Sequence, residues 1–309
     1  KEIKHLSRKE KLKELSKLEG LYIPSFYDYS SKTPTPLYED IPKSIHKRIS
    51  SFKDDVYPFD APVPNISVIH DRPVVEIRRG CGRMCRFCQA GFVTLPIRER
   101  DPETVKDLCS KALEFSGYDE YSLLSLSVSD YPELENLTLC LNNTFAPKNI
   151  SISLPSQRVD MFNVDLAKEI QAVRKSTLTF APEAGTDRLR KAINKNITQD
   201  QIVQAALSAY ESGWNKIKFY FIIGLPTETY EDLDGIVDLI NLIKTSSHKL
   251  RGSNPNIKKP LDITCTVSIF VPKPFTPFQW FGQLTRDEIL SRKKYLLEKT
   301  KSLDRKSVV

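Results

Sequence analysis

Between residues 66 and 271 the chain repeats one unit about six times: a short apolar run, a loop, and a stretch with apolar residues at helical spacing. The runs at 73–79, 121–128, 149–155, 176–181, 216–223 and 262–271 are rich in Val, Ile, Leu and Phe and read as strands. Several intervening helices announce their starts. Asp101-Pro102 supplies an N-cap and a first-turn proline, and Val105, Leu108, Ala112 and Leu113 follow as one face. Thr198-x-x-Gln201, Thr229-x-x-Asp232 and Thr285-x-x-Glu288 resemble capping boxes. Strands alternating with helices imply parallel strands joined by right-handed crossovers. Six units are fewer than the eight of a closed barrel. The expected fold is therefore α/β, an open partial (β/α)6 TIM-type barrel; an open sheet with a nucleotide-type crevice is the alternative. Both place chemistry in the loops after the strands' C-terminal ends.

The first 65 residues break this rhythm. Residues 2–19 read as a short charged helix with Ile3, Leu6, Leu12, Leu15 and Leu18 as its stripe. Seven prolines punctuate residues 21–65, and the tyrosines and phenylalanines between them predict an arm that packs on something. The expected division is thus 1–65, an N-terminal helix with a proline- and aromatic-rich connector, and 66–309, the core domain.

The loop after the first strand carries Arg79-Gly80-Cys81-Gly82-Arg83-Met84-Cys85-Arg86-Phe87-Cys88. The spacing Cys-x3-Cys-x2-Cys lets three thiolates meet three irons of a cubane and leaves the fourth iron without a protein ligand. Zinc is the rival, but it usually takes four ligands, commonly from paired Cys or His motifs. His5, His46, His70 and His248 offer no partner at such spacing. Cys109, Cys140 and Cys265 are isolated and form no second cluster motif; buried small hydrophobes are their expected role.

The later strand exits carry further candidates. Ser125-Leu126-Ser127-Val128-Ser129-Asp130 offers hydroxyls and an acid that can accept from an ammonium group, or form an ordinary turn. Arg158 can hold a carboxylate in bidentate fashion or pair with Asp160. Glu183 sits at the fourth exit, where an acid can meet hydroxyls or an ammonium; a surface turn is the plain alternative. Gly224 ends the nearly unbroken run Phe219–Ile223 and permits close backbone approach. The sixth strand runs into Phe270-Val271-Pro272-Lys273-Pro274-Phe275-Thr276-Pro277-Phe278-Gln279-Trp280, a rigid apolar lip in which Phe278 and Trp280 present flat surfaces.

Cys-x3-Cys-x2-aromatic-Cys, with Gly224-Leu225-Pro226-Thr227-Glu228-Thr229 in register after it, resembles the signature of radical S-adenosylmethionine (SAM) enzymes. The stretches Ala181–Arg190 and Phe270–Trp280 narrow the likeness to an uncharacterised bacterial family of such proteins. Longer members of that family carry a cobalamin-binding-like domain before the core. The resemblance implies a 4Fe–4S cluster on Cys81, Cys85 and Cys88, with SAM chelating the open iron. It implies reductive cleavage of SAM to a 5′-deoxyadenosyl radical that modifies a substrate, with methyl transfer and RNA modification as open outcomes. It further implies SAM contacts from Phe87, Ser127, Ser129, Asp130, Ser153, Arg158, Glu183, Gly224 and Val271. Serines and Asp130 stand where the superfamily typically has Gly-Gly-Glu. Cobalamin is expected only if a preceding domain exists, because the 309 residues contain no Asp-x-His-x-x-Gly loop. An electron donor such as flavodoxin or ferredoxin is an implied partner. A non-catalytic iron–sulfur electron carrier or scaffold is the competing reading.

Charge bears on a second partner class. The net charge of +7 comes from the ends: residues 1–19 hold seven Lys/Arg against four acids, and residues 286–309 eight against four. Basic ends can meet RNA or be solvated helix faces. No apolar stretch reaches membrane-spanning length, so no membrane partner is expected, and three cysteines in a thiolate loop suit the reducing cytoplasm.

Overall fold

The computed structural model describes residues 4–31, 33–52, 57–66, 68–69, 71–154, 158–162, 164 and 178–301. The chain forms two compact units, Lys1–Asp55 and Val56–Val309. In the first, helix α1 (Arg8–Ser16) is started by a Ser7/Glu10 capping box. It is shorter than its predicted 2–19 span, and beyond its C-cap at Lys17 the helical stripe is lost, so Leu18 is exposed. Leu12 packs instead with Ile23 against Phe26, Tyr27 and Ile41. A short antiparallel pair, Tyr27–Asp28 with Thr35–Pro36, lies in the proline-rich arm.

The second unit contains the six alternating strands: β1 (Val74–Glu76), β2 (Glu120–Leu124), β3 (Ser151–Ser153), β4 (Leu178–Glu183), β5 (Lys216–Ile223) and β6 (Asp262–Ile269). β1–β2–β3 form one parallel sheet and β4–β5–β6 another, each in chain order. Among the described residues no pairing closes a ring, and the architecture is the open (β/α)6 partial barrel. Pro155 at the end of the third predicted strand and residues 176–177 at the start of the fourth lie outside the described residues. The predicted second strand, 121–128, stops at Leu124. Its tail instead turns through Ser127 into a short 3-10 helix, Val128–Asp130, which brings Asp130 back toward the cysteine loop.

The helices are α2 (Gln89–Val93), α3 (Pro102–Ser116), α4 (Leu134–Phe145), α5 (Asp187–Ala192), α6 (Gln199–Glu211), α7 (Tyr230–Ser253) and α8 (Arg286–Thr300). Their ends follow the sequence signals. Asp101 caps α3 through Thr104 N (2.9 Å), and Gly117 at φ 72° closes it by donating to Leu113 O. Full capping boxes start α6, α7 and α8.

Strand β5 shows how the sequence sets the two faces of the second sheet. Ile217, Phe219, Phe221 and Ile223 are buried on one side, against Ala206 and Ala209 of α6 and Leu233, Ile236 and Leu239 of α7. Each such side chain contributes about 1.5–3 kcal/mol by leaving water. The alternate residues Lys218, Tyr220 and Ile222 face away from the helices and are half-buried. Behind β1–β3 a second core joins Val75, Ile77 and Leu123 to Val105, Cys109 and Leu141. The exit of β4 is pressed directly onto α7: a Cβ on Gly185 would come within 2.3 Å of Asp232 O and Ile236 N.

Candidate cluster and nucleotide site

Cys81, Cys85 and Cys88 lie between β1 and α2, after a short antiparallel pair of Arg78–Arg79 with Arg98–Glu99. Gly80 at φ 93° makes the entry turn, where a Cβ would meet Pro96 O and Thr94 O at 3.0–3.1 Å. Met84 takes the left-handed φ of 54°, folding the loop back between the first two cysteines. All three thiols are free and half-buried.

Three strand exits hold this loop. From β2, Asp130 accepts both contacts of Arg83 Nε (3.1 and 3.0 Å) and one from Arg83 Nη2. From the end of α5, Asn194 donates to Arg83 O and Met84 O (3.1 and 3.0 Å), and Ile193 O accepts from Arg86 N (2.9 Å). From the segment after β6, Phe278 N donates to Arg86 O and Pro274 O accepts from Gln89. Phe87 packs on a cluster of Ala184, Leu189, Ile193, Leu225, Phe270 and Phe278, and so acts as the loop's apolar anchor. Phe278 is buried there, whereas Trp280 and Phe275 are exposed.

Several charged groups around the loop are paired with one another. Burial pushes the Asp130 carboxyl up, but the hydrogen bonds of Arg83 and the charges of Arg83 and Arg158 outweigh it and hold the group below its ordinary value. Arg158 grips Asp160 in a bidentate pair (2.9 and 3.1 Å), and its N–H donates to Ser129 Oγ (3.0 Å). Glu183 takes φ 68° and pairs with Lys195 at 2.9 Å, both side chains being largely buried. Gly224 stands at φ 79° with its N–H donating to Glu228 (2.8 Å), and a Cβ there would meet Leu284 Cδ1 at 2.7 Å. Ser127 is buried after β2, Ser153 is half-buried on β3 with Ser122 as its register partner, and Val271 is exposed after β6. Arg188 and Arg190 are committed elsewhere. Arg188 bonds Asp232, and the fully buried Arg190 donates to Ile197 O and Ala184 O.

Sequence reasoning did not single out Asn194, Lys195 or Arg83. Their roles depend on residues 12 to 111 positions away, and the only local hint is the left-handed turn at Asn194 (φ 57°).

The donor set fits an iron–sulfur cube. Burial raises the Cys85 thiol, Lys195 and Arg158 act in the opposite sense, and Cys88 and Cys81 are near enough for their charges to count. Among the described residues no three His, Cys, Asp or Glu side chains converge on a single ion.

A parallel half-barrel with three free thiols at the exit of its first strand has the layout of an α/β enzyme built round a metal cluster. Residues 75–240 match the Radical SAM superfamily, more than half of the chain, and the chain belongs to that superfamily. The superfamily's cofactors are a 4Fe–4S cluster and SAM. The chain is 35% identical over 207 residues to an uncharacterized protein of Methanocaldococcus jannaschii, covering 67% of this chain and 45% of that one. It is 24% identical to a tRNA-2-methylthio-N(6)-dimethylallyladenosine synthase of Petrotoga mobilis, covering 63% of this chain and 46% of that one. Among solved structures it shares the fold of the cobalamin-dependent SAM radical enzyme OxsB (TM-score 0.54, 14% identity, 81% of this chain and 39% of that one). It also shares that of the radical SAM methyltransferase TsrM from Kitasatospora setae (TM-score 0.52, 14% identity, 67% and 36%). The chain thus spans less than half the length of these relatives. Among the described residues no helix is long and apolar enough to cross a membrane.

Proposed function

We propose that Cys81, Cys85 and Cys88 hold the cluster and that the chain cleaves SAM reductively for group transfer to a substrate. The observation that carries this is the loop itself: three free thiols at one strand exit, fixed from β2, α5 and the segment after β6. Bound there, the cluster would supply the electron that breaks SAM's sulfonium–carbon bond. The protein's part is to bind, orient and shield. Asp130, Arg158 and Glu183 each stand in an ion pair near the loop. A zwitterionic amino acid group can exchange with such pairs at small net electrostatic cost, since each partner keeps a counter-charge. The apolar wall of Phe87, Leu225 and Phe270 would exclude water from the reacting carbon.

The transferase outcome is inferred from the relatives, one acting on tRNA and one a methyltransferase by name. RNA is therefore one substrate class for this chain, with an electron donor such as flavodoxin or ferredoxin as partner and the cytoplasm as its place. The test is anaerobic reconstitution with iron and sulfide, followed by a strong reductant and SAM. Wild type is expected to form a cluster and release 5′-deoxyadenosine, and each Cys→Ala variant to lose both. Cluster formation without SAM cleavage in wild type would favour an electron carrier instead.

A further inference from the structure

The face of β4–β6 turned away from the helices carries a cation that has no acidic partner among the described residues. Lys218 on β5 is half-buried there and makes no ion pair among the described residues; its ammonium lies 4.7 Å from the centre of the Tyr220 ring. The strand registers fix its neighbours. Thr179 of β4 and Thr264 of β6 stand directly beside Lys218, and Thr266 beside Tyr220. Among the described residues none of these three threonines spends its hydroxyl in a hydrogen bond. The contrast lies one step down the same face, where Lys216 has Asp262 as its register partner.

This row points toward the cysteine loop. Ile222, four residues on and about 13 Å along the strand, packs on the same apolar cluster as Phe87. Lys218, Tyr220 and Ile222 therefore form a column that starts with an ammonium and ends under the candidate cluster. A half-buried lysine flanked by two exposed threonines and a ring, with no acid paired to it among the described residues, can take an anion of opposite charge.

We propose that this column binds the substrate, and that the substrate carries a carboxylate or phosphate held by Lys218, Thr179 and Thr264, with a planar part against Tyr220. The proposal rests on the reading above that the chain acts on a substrate beneath a cluster on the cysteine loop. Its test does not need that cluster. Benzoate, phenyl phosphate and benzamide are titrated into the full chain without cluster, followed by calorimetry and saturation-transfer NMR. At least one anion is expected to bind, and benzamide much more weakly. Lys218→Met is expected to weaken the anion by roughly tenfold or more, the loss of one charge-assisted contact. Lys218→Arg should keep most of the affinity and show that the fold is intact. The preferred anion separates a carboxylate substrate from a phosphate one. No anion binding by wild type, equal binding of benzamide, or an unchanged affinity in Lys218→Met each overturns the proposal. Anion binding that depends on Lys218 in a chain that never cleaves SAM would overturn the radical reading alone.

Discussion

Replacing Asp130 with Asn tests the tie between the second strand exit and the cysteine loop. The Asp130 side chain is 9% exposed and takes the Arg83 guanidinium in bidentate fashion, with Arg78 Nη1 a further 3.9 Å away. A charge-assisted hydrogen bond contributes about 1.5–3 kcal/mol. Arg83 is 35% exposed, so solvent screening brings its share to about 1–2 kcal/mol. Arg78 is buried but keeps Glu99 at 3.1 Å, so losing Asp130 adds only about 1 kcal/mol more. The expected loss is about 2–3 kcal/mol at neutral pH, read as a lower urea midpoint with an unchanged slope. The pH dependence has a definite sign. The folded Asp130 carboxyl lies below its unfolded value, so its stabilisation is complete above the ordinary carboxylate range. It is lost as pH falls through the lowered folded value. The gap between wild type and Asp130→Asn should therefore close below about pH 4. An Arg83→Met/Asp130→Asn cycle should show coupling, and the Asn variant should take up less iron on reconstitution. An unchanged midpoint, or a gap that widens on acidification, would refute the argument.

Gly185→Ala should cost about 3 kcal/mol or more by forcing β4's exit off α7, while Gly252→Ala, with open space around it, should stabilise by about 0.5–1 kcal/mol; thermal melts distinguish them. Native alkylation at pH 8 should label the exposed Cys265 and spare Cys109, whose thiol burial pushes up to about 12; peptide mass spectrometry reads both sites. Arg292→Met should destabilise by up to about 3 kcal/mol, because it strands the buried Glu228. Burial already raises Glu228, so the variant's stability should fall more steeply than wild type's as pH rises from the ordinary carboxylate range; pH-resolved urea titrations measure this.

Much of this protein is written locally. Apolar runs of strand length, alternating with capped helices, need no distant partner to be recognised, because capping and period are properties of neighbouring residues. The parallel partial barrel follows from that order, and the Cys-x3-Cys-x2-Cys loop falls at a strand exit for the same reason. The short helix α1 shows the limit: Leu15 and Leu18 keep helical spacing, yet with Lys17 as C-cap the chain leaves the helix before the stripe can continue.

Only tertiary structure decided what each strand exit touches. The sequence alone offered Asp130 and Glu183 as acceptors; folding pairs them with Arg83 and Lys195, and of the two readings open for Arg158 it takes the local pair with Asp160. It makes Phe87 an anchor and leaves Lys218 between two threonines rather than beside an acid. Strand register and loop docking join residues dozens of positions apart, and no local periodicity encodes which long-range charge will meet which.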